Sequence, residues 1–205
     1  LGEDCIVPSI RTVAINAGDT DSIIEAVKEA DIIFNGTIPR FNLPIMKACL
    51  VLNAHYLDLY SLPVQGDDIP YEETIDAQFE LNEAFQAKNL IAIPCVGANP
   101  GLSTMIATQL IKELDIVDTV NARTTDFIKT SQFVSTVYLS VFFSHWLGAP
   151  GPMFYEDGTL KSINLLDSEE VFEFPAPVGS QIVYSEAGSA DLALVPRFAD
   201  KAIGK

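Results

Sequence analysis

The chain has 205 residues, 48% of them apolar and 20% charged, a globular composition long enough for one large domain or two small ones. Twelve basic residues against 28 acidic ones leave a formal charge of −16, and with no Lys/Arg cluster such a surface repels phosphate backbones and argues against nucleic acid as a partner. Cys5, Cys49 and Cys95 are far apart with no C-x-x-C pair, and His55 and His145 are the only histidines. That pattern argues against a disulfide framework or a zinc site and points to a reducing, cytoplasmic setting.

In chain order, "RTVAIN" (11–16) reads as a short strand closed by "AGDTD". Ser22 and Glu25 have capping-box spacing, and Ile23, Ile24, Val27 and Ala30 then recur with helical period. "DIIFN" (31–35) is the next strand, ended by "GTIP". Asn42 is placed to cap a helix through Leu52, with Pro44 tolerated in its first turn. "HYLDLY" (55–60) reads as a strand, "SLPVQGDDIP" as a loop, and 71–88 as a helix burying Ile75, Phe79 and Phe85.

"LIAIPCV" (90–96) is continuously apolar, which predicts a strand covered on both faces, as in a parallel sheet. "CVGANPGLST" (95–104) then turns into a helix marked by Met105, Ile106, Leu110, Ile111 and Leu114. Beyond Asp115 the pattern changes. "TVNARTTD" reads as a strand, and Phe133–Trp146 as a strongly amphipathic helix with His145 on its apolar face. That run is too short to span a bilayer, and no signal peptide is read. A hairpin is expected around Asp157-Gly158, with further strands at "VFEFP" and "QIVYS". The expected fold class is α/β: a partial Rossmann-type parallel sheet over 1–115, then an α+β domain over 116–205 with a mainly antiparallel sheet.

The chemistry narrows by elimination. There is no G-x-S-x-G elbow and no G-x-x-x-x-G-K-[ST] phosphate loop, and the carboxylates of "DDIPYEE" (67–73) lack calcium-loop spacing. Three stretches remain: "NGTIP" (35–39), "HYLDL" (55–59) and "GANPG" (97–101). Each follows or overlaps a strand, and in a parallel sheet all three fall along one edge, where such folds bind ligands. Asp58 is the one carboxylate inside an apolar strand, so if buried it needs partners or a shifted pKa.

The ordered set "DIIFNGTIP", "HYLDL", "GANPGL" resembles the saccharopine dehydrogenase-like family of NAD(P)-dependent oxidoreductases over roughly residues 11–115. The resemblance implies a dinucleotide domain, NAD or NADP as cofactor, and a following domain that binds an amino-acid-derived substrate and forms a homodimer. It places Asp19 near the adenine, and Asn35, Gly36, Thr37 and Pro39 along the dinucleotide. Tyr56 and Asp58 fall at the reacting nicotinamide end, with Asn99, Pro100 and Gly101 closing the cleft beside the substrate. The implied reaction is hydride transfer at a carbon bearing nitrogen.

Two departures stand out. The glycine fingerprint G-x-G-x-x-G occurs nowhere in the chain, and Leu1 is not an initiator, so an N-terminal unit of about 70–80 residues is expected to be missing. Family members acting on saccharopine itself often carry Asp where this chain has Asn99. The competing readings are a non-catalytic dimerising scaffold and a sugar or carbonyl reductase, the latter lacking its expected Tyr-x-x-x-Lys pair.

Overall fold

A computed structural model describes residues 10–63, 69–132, 151–185 and 189–199. The amphipathic run 133–146, with His145, lies outside them.

The first helix, α1 (Thr20–Val27), starts at Asp19, whose carboxylate accepts the Asp21 N–H at 3.1 Å. The expected capping box is therefore displaced: Ser22 lies inside the helix and its hydroxyl accepts the Asn16 N–H instead. A 3-10 turn opened by Pro39 leads into α2 (Asn42–Leu52), so Phe41 rather than Asn42 is the N-cap. Asn53 ends α2 in the left-handed conformation, its N–H bonded to the Cys49 carbonyl.

Strands β1 (Ile32–Asn35), β2 (His55–Asp58) and β3 (Ala92–Ile93) form a parallel sheet in sequential order. Its register pairs Asn35 with Asp58 and Ile33 with Tyr56 and Ala92, so these side chains share one face. Helices cover that face, with Ile23, Ile45, Met46, Ala48, Cys49 and Phe85 packed around Tyr56. Among the described residues the other face is exposed, where a sheet covered on both sides is expected: Ile32, Phe34, Leu59, Ile91 and Ile93 are all exposed. β3 is also much shorter than the apolar run 90–96, because Pro94 has no N–H to pair and Cys95 takes a φ of 59°.

Other expectations change for similar local reasons. Residues 11–16 and 119–126 are not strands: no backbone ladder joins either to a neighbour among the described residues, and a strand without a partner has nothing to hold it. The helix expected over 71–88 divides into a 3-10 turn at Tyr71–Glu73, α3 (Ile75–Phe79) and α4 (Asn82–Ala87). It breaks where the Leu81 N–H bonds to the Gln78 carbonyl, a tighter turn than the α-helix. α5 (Leu102–Glu113) forms as expected, but of its apolar set only Ile111 is buried, with Met105, Ile106, Leu110 and Leu114 exposed.

Two antiparallel ribbons follow. β4 (Met153–Glu156) and β5 (Thr159–Ser162) meet at Asp157-Gly158, with φ of 51° and 80° as a tight hairpin turn demands. β6 (Glu170–Phe174) pairs with β7 (Gly179–Val183), and Arg123 clips to this ribbon through Glu170 at 2.8 Å while lying over the Phe172 ring. The fold is thus an α/β parallel layer followed by antiparallel sheets. Last, α6 (Asp191–Phe198) returns to the first layer, packing Ala190 and Leu194 against Ile75 and Cys95.

Candidate dinucleotide edge

Because the three strands run parallel, the segments following β1, β2 and β3 all emerge at one edge of the sheet. At that edge Asn35 and Asp58, the last residues of their strands, turn inward beneath the connecting loops. Asp58 is 1% exposed and Tyr56 0%. The Asp58 carboxylate accepts the Tyr56 hydroxyl at 2.9 Å, the Gln78 amide at 2.5 Å and the Cys95 N–H at 2.7 Å. Burial pushes its pKa above the ordinary value, while bonds from Cys95, Gln78, Tyr56 and the Tyr60 backbone pull it back. Burial, then the adjacent Asp58 charge, raises the Tyr56 phenol as well.

The network continues sideways. The Asn35 amide donates to Asn42 Oδ1 at 2.8 Å and to the Tyr56 oxygen at 3.1 Å. Its carbonyl accepts both the N–H and the hydroxyl of Thr37, at 2.9 and 2.6 Å, which folds the "NGT" turn back onto the strand. Asn42 donates to the Tyr60 carbonyl at 3.0 Å and to Gln78 Oε1 at 3.3 Å. Every buried side-chain polar atom among the described residues has a partner.

The loop after β3 is fastened to the same carboxylate. The Val96 N–H bonds to the Asp58 carbonyl at 2.8 Å, and Gly97 bridges to Gly101 across the turn. A Cβ on Gly97 would lie 2.7 Å from the Leu59 carbonyl oxygen, and one on Gly101, whose φ is 129°, would lie 2.4 Å from that of Gly97. Both positions therefore require glycine.

The structure thus gathers Asn35, Thr37, Tyr56 and Asp58 into one network and fastens the loop bearing Asn99, Pro100 and Gly101 beside it. Gly36 is exposed at the rim, and Pro39 is buried at the start of its turn. Asp19 stands apart as the cap of α1. Asn42 and Gln78 were missed by sequence reasoning. Asn42 reads as a helix cap, and Gln78 carries no signal beyond lying between Ile75 and Phe79 on one helix. His55 is structural, its Nδ1 accepting the Ile91 N–H at 3.0 Å. Among the described residues no group of three or more His, Cys, Asp or Glu is placed to hold a metal.

Residues 7–93 match the family model described as the saccharopine dehydrogenase NADP binding domain. This segment belongs to that family. The carboxynorspermidine synthase of Vibrio alginolyticus is 30% identical over 181 residues, covering 85% of this chain and 42% of the relative. The carboxynorspermidine synthase of Vibrio cholerae serotype O1 is 31% identical over 113 residues, covering 52% of this chain and 27% of that protein. The chain therefore spans less than half the length of these curated relatives.

NAD(P) is the cofactor of this domain type. Gly36 and Thr37 are exposed at the rim, and a Cβ on Gly36 would meet only the Phe34 ring, at 3.8 Å. A pyrophosphate anchor is not found among the described residues. The start of α5 does not supply one, because the Leu102 and Ser103 N–H groups are already bonded to the Gly97 and Ala98 carbonyls.

Proposed function

We propose that this chain forms part of an NAD(P)-dependent oxidoreductase that transfers hydride at a C–N bond of an amino-acid-derived amine. One observation carries the reading: within the NADP-binding family match, the loops after β1 and β2 meet the loop after β3 at one sheet edge, over the Asn35–Tyr56–Asp58 network. The relatives' name, carboxynorspermidine synthase, supports a substrate combining an amine with a carboxylate. A net charge of −16 suits a cationic amine, which such a surface attracts over long range.

In this reading Gly36, Thr37 and Pro39 flank the dinucleotide, which supplies the hydride, and Asn99, Pro100 and Gly101 border the substrate. Asp58 and Tyr56 lie beneath the loops, so they position those loops rather than touch the reacting carbon. The division near residue 115 and a homodimer belong to the same proposal.

The test is to titrate the full-length enzyme to which this chain contributes with NADPH by fluorescence, then follow NADPH oxidation with primary amines and amino-acid-derived aldehydes. Saturable binding with oxidation that requires both partners supports the reading. Absence of binding at about millimolar NADPH, well above usual cofactor needs, overturns it.

A further inference from the structure

We propose that the Ser189–Asp191 segment at the start of α6 is a positioning element for the Gly97–Gly101 loop and the start of α5. The proposal rests on the reading of that loop as a border of the dinucleotide and substrate site. Ser189 and Asp191 lie about ninety positions from the groups they hold, and no sequence motif connects them.

The geometry has two separate parts. The first docks the helix. Ala190 and Leu194 are buried against Ile75 and Cys95, the Arg197 guanidinium lies 4.6 Å from the Phe79 ring centre and pairs with Asp76, and Phe198 meets Phe79 edge-on. These contacts seat α6 on α3 without involving the loop's polar groups.

The second part points at the loop. The Ser189 hydroxyl lies 2.9 Å from Asn99 Oδ1 and 3.3 Å from Asp191 Oδ2, so its one proton goes to Asn99 by the shorter contact. Asp191 accepts the Ser103 hydroxyl at 2.7 Å through Oδ2 and the Thr104 hydroxyl through Oδ1. Ser103 and Thr104 sit in the first turn of α5, whose N-cap Gly101 has no side chain to offer.

Asp191 therefore ties down the end of the loop where the helix begins, and Ser189 orients the Asn99 side chain. The loop is then held from two places. Asp58 fixes its first residues, Cys95 and Val96, and the α6 segment fixes Asn99, Ser103 and Thr104. A loop that borders reacting atoms needs such support, because small displacements cost much of the rate.

The experiment compares the whole chain with Ser189→Ala, Asp191→Asn and the conservative Ser189→Thr. Amide exchange across residues 95–104 should accelerate by about fivefold or more in the first two, with α2 unchanged. Where the wild type is active, kcat should fall about fivefold or more while NADPH affinity stays within about twofold, and Ser189→Thr should restore it.

Unchanged exchange in 95–104 overturns the proposal. So does faster exchange spread equally over α2, which marks a merely structural role, and so do unchanged kinetics in an active enzyme. If the wild type neither binds NADPH nor turns over, the functional reading fails on its own, and the exchange data still decide whether this segment holds the loop.

Discussion

Asp58 concentrates the residue-scale physics. A carboxylate that is 1% exposed would be costly alone, and here it becomes the acceptor that joins β2, α3 and the loop after β3. Asp58→Ala leaves the Tyr56 hydroxyl, the Gln78 amide and the Cys95 N–H without their acceptor. Each stranded buried donor costs about 1–3 kcal/mol, so a loss of roughly 3 kcal/mol or more is expected in urea unfolding. A loss below about 1 kcal/mol would remove Asp58 from the centre of the network.

The raised pKa adds a second expectation with a definite sign. The unfolded carboxyl ionises near 3.8, and the folded one at a higher pH. Its contribution is therefore fully present below 3.8 and is lost as pH rises through the folded value. Relative to Asp58→Asn, the wild type should lose stability as pH rises from the ordinary carboxylate range, seen in urea midpoints. A wild-type advantage that grows over the same window would mean that the four donors outweigh burial. That Asp58 matters was legible in the sequence as a charge inside an apolar strand. Its partners were not, because Gln78 and the Cys95 N–H reach it only through the crossover.

At the scale of elements, legibility followed how local the cause was. The hairpin at Asp157-Gly158 was readable because two residues that tolerate positive φ sit between strand-forming runs. The helices α1 and α5 were readable from apolar period, and α2 from Asn42 and Pro44 at its start, though the caps of α1 and α2 moved. The strands expected at 11–16 and 119–126 failed because a strand depends on a partner that its own sequence does not encode.

The loop after β3 shows the same division. Its glycines were legible, but not the close packing that makes them necessary. Gly101→Ala should destabilise by about 2 kcal/mol or more, since φ is 129° and the new carbon meets two carbonyl oxygens at 2.4 and 2.5 Å. Gly158→Ala has a φ of 80° but open space around it, and should cost only about 1 kcal/mol. Urea midpoints check the order. Equal losses would show that the loop is not packed as described.

At the scale of the whole chain, the sheet face left exposed among the described residues is the feature that departs from its own sequence. Continuous apolar runs led to the expectation of a layer on each side, and parallel sheets rarely leave a face bare. Yet Phe34 is 58% exposed and Ile91 59%, with Ile32, Leu59 and Ile93 on the same side. The reason the sequence misleads is that a run of apolar residues records that both faces favour burial, not which segment covers them. A net charge of −16 opposes association through that apolar surface at low ionic strength.

The balance can be measured. A hydrophobic dye should fluoresce with the natively folded chain, and the double variant Phe34→Ser with Ile93→Ser should reduce that signal by about half or more. Far-UV circular dichroism should stay unchanged, because both side chains point away from the packed face. Raising salt to about 1 M shortens the Debye length to about 3 Å, which removes the repulsion and leaves the apolar face to drive association. Sedimentation should then show larger species for the wild type and fewer for the double variant. Equal dye binding and equal sedimentation by both proteins would place the exposed apolar surface elsewhere, with the exposed side of α5 the next region to substitute.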